Sequence, residues 1–112
     1  MIFGFGKTAN HQEITAPELA RMVEAKDVVV VDVREKDEFS AGHIPGAINL
    51  PLSRFRAEDL PDAGGKKLVL NCLGGKRSGQ ALDRCATAGA AVDTHLAGGF
   101  GAWVNAGLPV ER

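Results

Sequence analysis

A chain of 112 residues with a formal net charge of −1, 45% apolar and 24% charged residues, has the balance of one ordinary globular domain and is too short to fill two hydrophobic cores. Its basic and acidic residues are interspersed, which excludes a broad electrostatic footprint for nucleic acid or anionic lipid. The longest apolar run, Val28 to Val31, is closed by Asp32 and falls far short of the roughly 20 residues that cross a bilayer.

Met1 to Asn10 is glycine-rich and lacks both a continuous apolar region and a small-residue cleavage site. No signal peptide is expected there, and the segment reads as a flexible leader to a domain over residues 11–112. Thr15 with Glu18 three positions on forms a capping-box pattern, Pro17 suits a first turn, and Leu19, Met22 and Val23 recur at helical spacing. This predicts a helix from Ala16 to Ala25. After Asp27, the β-branched run Val28 to Val33 predicts a strand buried on both faces, as in parallel sheets. Ile48 to Leu50, Leu68 to Leu70 and Val92 to Leu96 read as further strands. Phe55 to Leu60 and Ser78 to Ala88 read as helices between them, and Gly101 to Ala106 as a short last helix. Such alternation predicts an α/β domain with a parallel sheet and right-handed crossovers. Ligands of these sheets bind beyond the carboxyl ends of the strands, which is where Cys72 falls, directly after Asn71.

Only two cysteines occur, Cys72 and Cys85, in a chain large enough to fold without disulfides. Free thiols in a reducing compartment are expected, the cytoplasm by default. The stretch Cys72-Leu73-Gly74-Gly75-Lys76-Arg77-Ser78-Gly79 leaves a strand, makes a small cationic loop and enters a helix. Gly74 and Gly75 allow successive N–H groups to turn inward around the sulfur, and the helix start adds its positive dipole end. Lys76 and Arg77 add two cations, so Cys72 is predicted to be a thiolate nucleophile at neutral pH. A Cys followed by a short loop and an Arg also suggests phosphatases, in which amides and Arg wrap a phosphate. Those loops place five residues between Cys and Arg. Here four do, Leu73 to Lys76, and the tighter ring suits a bound sulfur atom better than a phosphate.

The remaining polar and reactive residues read as structural. Asp32 and Arg34 form a strand-end pair, and His43 sits in a Gly-His-Ile-Pro-Gly turn where neither His11 nor His95 supplies a recognisable ligand or acid-base partner. No metal and no cofactor is expected. Cys85 lies about 10 Å along the helix from Ser78, too far to close a disulfide with Cys72, and shares a core face with Leu82 and Ala86. Trp103 reads as the anchor of the last helix.

Three motifs, in order along the chain, resemble the rhodanese-like family from about Ile14 to Val110. Val31-Asp32-Val33-Arg34-Glu35 through Glu38-Phe39 and Gly42-His43-Ile44-Pro45-Gly46-Ala47-Ile48-Asn49-Leu50-Pro51 is similar to its N-terminal signature. Cys72 to Ser78 is similar to the active-site loop of its sulfurtransferases, and Gly98-Gly99-Phe100-Gly101-Ala102-Trp103 to its C-terminal signature. The resemblance implies a three-layer α/β fold with a five-stranded parallel sheet flanked by helices. It also implies a persulfide on Cys72, with Leu73, Gly74, Gly75, Lys76, Arg77 and Ser78 as the surrounding substrate-binding residues. The expected partners are a small anionic sulfur donor such as thiosulfate and an acceptor that is cyanide, a small thiol or a protein cysteine. Nucleic acid and membrane are not expected, and the chain is expected to be a monomer or weak homodimer. A sulfur-delivery module of a larger pathway is the alternative use of the same site, with a phosphatase or arsenate reductase on the same scaffold further behind.

Overall fold

The computed structural model describes residues 11–112; the leader expected over residues 1–10 lies outside them. Five strands, β1 (Gln12–Ile14), β2 (Val28–Asp32), β3 (Ile48–Asn49), β4 (Lys67–Asn71) and β5 (Thr94–Leu96), form one sheet in the order β1-β5-β4-β2-β3. Every pairing between them is parallel. Four helices, α1 (Ala16–Ala25), α2 (Lys36–Ala41), α3 (Lys76–Thr87) and α4 (Gly99–Asn105), join or follow the strands.

The side-chain alternation of β2 and β4 divides the core in two. Val30 and Val69 point to one face, where they meet Ala16 and Leu19 of α1 and Phe100 and Trp103 of α4. Val31 and Leu70 point to the other, against Ala81, Leu82 and Cys85 of α3 and against Phe55. Full burial of such a side chain contributes on the order of 2 kcal/mol, so both layers are held by their own apolar seam. Trp103 is buried and its indole N–H donates to the Pro109 carbonyl at 2.7 Å, which fixes the chain after α4 as expected of an anchor.

Helix α1 has the predicted bounds, and both halves of the Thr15–Glu18 capping box are present. It ends on Lys26, a non-glycine residue at φ 60°. One expected element is absent and two observed ones were not expected. The helix expected over Phe55 to Leu60 is replaced by two single 3₁₀ turns, Leu52–Arg54 and Ala57–Asp59. Phe55 is extended between them to bury its ring, and Leu60 is extended because Pro61 disfavours a helical residue before it. Helix α2 was not predicted; it is short, and the Glu35 N–H donates to the Glu38 carboxylate at 3.0 Å to cap its first turn. The fifth strand, β1, is a polar three-residue edge segment with no alternation to reveal it.

Beyond the end of β2 a buried ion pair ties the turns together. Arg34 donates to both Asp32 carboxylate oxygens, through Nε to Oδ1 at 3.1 Å and to Oδ2 at 3.0 Å and through Nη2 to Oδ2 at 2.8 Å, and Nη2 also reaches the Gly42 carbonyl at 2.7 Å. The guanidinium lies 4.3 Å from the centre of the Phe100 ring. His43 stacks on Phe39 at 3.8 Å, and its Nδ1 is 2.8 Å from the Phe39 carbonyl. These are the scaffolding roles read for Asp32, Arg34 and His43 from the sequence.

Candidate functional site

Strand β4 delivers Cys72 to the carboxyl end of the sheet, and the chain passes through Leu73 and Gly74 into Gly75, the residue preceding α3. Gly75 adopts φ +110°, closed to other residues without strain, and this turn aims its N–H at Cys72 Sγ, 3.0 Å away. Gly74 has no such conformational demand. A side chain there would meet open space, so only one of the two loop glycines is required by the backbone. Leu73 projects outward and is 49% exposed, whereas Cys72 is 1% exposed.

The loop is held from beneath. The amide of Phe100 donates to the Cys72 carbonyl at 2.7 Å and that of Gly101 to the Leu73 carbonyl at 3.0 Å. The start of α4 therefore draws the loop's carbonyls downward and leaves its N–H groups facing the sulfur. Gly99 is the point of closest approach: a Cβ there would stand 2.5 Å from Cys72 O and from Leu73 C and O. Gly98 and Gly101 are crowded as well, since a Cβ would stand 2.8 Å from Ala102 Cβ at the first and 3.3 Å from Leu73 O at the second.

Opposing influences act on the Cys72 thiol. Burial pushes its pKa up, while hydrogen bonds from the Ser78 hydroxyl and from the amides of Ser78, Gly75 and Gly74 pull it down, and the balance lies below the ordinary thiol value. Ser78 Oγ is 3.5 Å from Sγ. Inward amides, the helix start and two cations were expected to act together here; the hydroxyl and the amides are the groups that lower the thiol in the structure. Arg77 is held by Glu38 of α2 in a two-pronged contact, Nη1 to Oε1 at 2.7 Å and Nη2 to Oε2 at 3.0 Å. That hydrogen bonding holds the Glu38 carboxyl down to about 2 and raises Arg77. Lys76 makes no ion pair among the described residues.

Cys85 is fully buried in the apolar layer under α3, where desolvation alone pushes its thiol up, the inert core role expected for it. Cys72 and Cys85 are both free thiols. No cluster of three or more His, Cys, Asp or Glu able to hold a metal is present among the described residues, and none of their helices is long and apolar enough to cross a membrane.

Sequence reasoning missed a second group of residues at the site. His95 of β5 is buried, and its Nδ1 lies 2.7 Å from Ser78 Oγ. Its Nε2 lies 3.6 Å from Glu13 of β1. Glu13 and His95 are register partners across the β1–β5 pair, so the signal was present only in a strand too short to identify.

A family model for the rhodanese-like domain matches residues 15–106. An uncharacterized Synechocystis protein is 46% identical over 98 residues, 87% of this chain and 55% of its own length. The thiosulfate:glutathione sulfurtransferase of Saccharomyces cerevisiae is 32% identical, across 88% of this chain and 82% of the yeast protein. Among solved structures, a rhodanese-related protein from Thermoplasma volcanium superposes with a TM-score of 0.76 at 31% identity, covering 90% of this chain and 98% of that one. A Rhodopseudomonas palustris protein of unknown function, described as a possible tyrosine phosphatase, superposes with a TM-score of 0.77 at 31% identity, covering 90% of this chain and 85% of its own. The chain spans about half the length of the first curated relatives it matches, 55% and 44%. The fold, its loop and these matches define one class: the chain belongs to the rhodanese-like family, some of whose related members are named sulfurtransferases.

Proposed function

We propose that this protein is a sulfurtransferase that carries a sulfane sulfur as a persulfide of Cys72, taking it from thiosulfate or a similar anion and passing it to a thiol or cyanide. The observation that carries this reading is the convergence of loop donors on a single buried sulfur, with the Gly75 amide 3.0 Å and the Ser78 hydroxyl 3.5 Å from Sγ. Donors so arranged favour the thiolate, which is the nucleophile in sulfur exchange.

In the first step the Cys72 thiolate attacks the outer sulfur of thiosulfate. The Sγ–S bond forms, the S–S bond of the donor breaks, and sulfite leaves with the bonding electron pair. In the second, the acceptor thiolate or cyanide attacks the outer sulfur of the persulfide, and the electron pair of the broken bond returns to Cys72 Sγ. The inward amides of the loop bind the terminal sulfur between the steps, and no external oxidant or reductant is consumed.

Two observations favour sulfur over phosphate. Cys72 and Arg77 enclose four residues, and the Arg77 guanidinium, which a phosphatase would turn onto phosphate oxygens, is occupied by Glu38 on both prongs. Mass spectrometry after thiosulfate treatment tests the proposal. Wild type and Cys85→Ser should gain one sulfur atom at Cys72 and release sulfite, whereas Cys72→Ser should do neither. Hydrolysis of an aryl phosphate without a persulfide would overturn the assignment.

A further inference from the structure

The Ser78 hydroxyl stands at a junction of three acceptors but has one proton to give. Its Oγ is 2.7 Å from His95 Nδ1, 3.2 Å from the Gly75 carbonyl oxygen and 3.5 Å from Cys72 Sγ. The state of the sulfur decides which is served. A thiolate only accepts, so it draws the Ser78 proton, and Oγ must then accept from a protonated Nδ1. A thiol donates S–H to Oγ, which frees the hydroxyl proton for an unprotonated Nδ1. Imidazole is the one neutral side chain that supplies both roles from a single ring position by changing tautomer.

We propose that Ser78 and His95 form a two-link relay that takes the proton of Cys72 out of the buried loop and then holds the Ser78 hydroxyl as a donor to the anionic sulfur. The proton of Sγ–H passes to Ser78 Oγ as the hydroxyl proton passes to His95 Nδ1. The ring then releases its Nε2 proton and is left neutral with N–H at Nδ1. One proton leaves the thiol, one reaches solvent, and no bond other than those to hydrogen changes. Cys72 is 1% exposed, so little water stands beside its thiol to take the proton. His95 lines an open cleft of about 540 Å³, together with His11, Glu13, Lys76 and Asp83, and its Nε2 faces the exposed Glu13 carboxylate.

The groups facing His95 suit this traffic. Glu13 of β1 is 3.6 Å from Nε2 and stabilises the transient imidazolium. The His11 ring stands edge-on at 5.6 Å and is itself bonded to Asp83 of α3 at 2.9 Å. Burial, with His11 adding to it and Glu13 opposing it, holds His95 below the usual imidazole range, so the ring is neutral at pH 7 and free to accept. The same arrangement serves acceptor transfer, because Sγ departs from the persulfide as an anion and the Ser78 hydroxyl is already directed to it. His95 is thus a positioning residue that acts through Ser78.

The inference rests on Cys72 as the nucleophile, and its test is independent of any sulfur donor. In a Cys85→Ser background, alkylation of Cys72 by iodoacetamide is followed against pH. Ser78→Ala and His95→Leu should each move the midpoint upward by about one unit, with about tenfold slower reaction below it. The double variant should move no further, since both remove one chain of donors. His95→Asn, whose amide N–H reaches roughly the position of Nδ1 without titrating, should keep the midpoint close to that of wild type. Profiles of folded His95→Leu and wild type that superimpose would overturn the relay. So would additive shifts, or equal displacement by Leu and Asn at position 95. If His95→Leu does not fold, His95→Asn against Ser78→Ala decides: a midpoint in His95→Asn as high as in Ser78→Ala refutes the proposal. A normal profile in a wild type that gains no sulfur from thiosulfate would instead count against the sulfurtransferase reading alone.

Discussion

A Gly99→Ala substitution should disable the loop from below, at a residue that contributes no atom to the sulfur's surroundings. Two costs separate cleanly. The first is conformational: an L-residue at φ +60° is strained by about 1 kcal/mol. The second is steric, because the new Cβ would stand 2.5 Å from the Cys72 and Leu73 backbone, so the loop or α4 must move by several tenths of an ångström. That movement lengthens the hydrogen bonds from Phe100 N and Gly101 N, at 2.7 and 3.0 Å, each contributing about 1 kcal/mol. The total reaches about 3 kcal/mol, a large share of the roughly 5 to 15 kcal/mol that holds a domain of this size together. It corresponds to a Tm loss of about 12 °C or more. Gly64→Ala is the matched control, since Gly64 has the same φ of +60° with nothing within 4 Å of a Cβ, and should lose only the conformational part. Urea unfolding gives the stability difference, and iodoacetamide alkylation in a Cys85→Ser background reports whether Sγ has lost its donors. Equal destabilisation by the two substitutions, with the alkylation profile unmoved in Gly99→Ala, would refute the view that α4 shapes the loop.

The ion pair of Glu38 with Arg77 makes stability depend on acid. A carboxyl lowered to about 2 when folded from about 4.3 when unfolded contributes fully above the upper value and loses its contribution as pH falls toward the lower one. Both side chains are about a third exposed, so screening reduces the effect to about 1 kcal/mol; Glu38→Gln should be less stable than wild type by this amount at pH 6 and nearly equal to it at pH 2, and a difference that stays constant between urea unfolding at the two values would contradict it. Lys76→Ala should raise the KM for thiosulfate severalfold at low ionic strength and little at high salt, because a rim cation acts on the donor over a screening length of about 8 Å. A KM that responds to salt equally in both proteins would remove Lys76 from donor capture.

The chemistry of the loop was legible because it is local. Cys72 to Ser78 places a thiol, a glycine at positive φ, two cations and a helix start within seven consecutive residues, and the structure keeps all of them at one strand end. What the sequence could not disclose was the direction in which each group is spent. Arg77 is bonded to Glu38, 39 residues away in the chain, on a helix too short to announce itself. Its charge therefore serves as much to lock α2 against the loop as to attract an anion. His95 was passed over because its partners lie 17 and 82 positions away, joined only when β1 pairs with β5 in parallel register. The Gly98 to Trp103 motif was recognised from resemblance alone, and the structure supplies its reason. A loop that turns the N–H groups of Gly74, Gly75 and Ser78 toward one sulfur must turn carbonyls elsewhere, and buried carbonyls require donors. The first amides of α4 are those donors, so the C-terminal motif and the cysteine loop are two halves of one hydrogen-bonding arrangement. It follows that the thiolate is stabilised through a chain of dependencies that begins at Gly99, where the lack of a side chain lets α4 approach. Changes at that contact reach the sulfur without touching it.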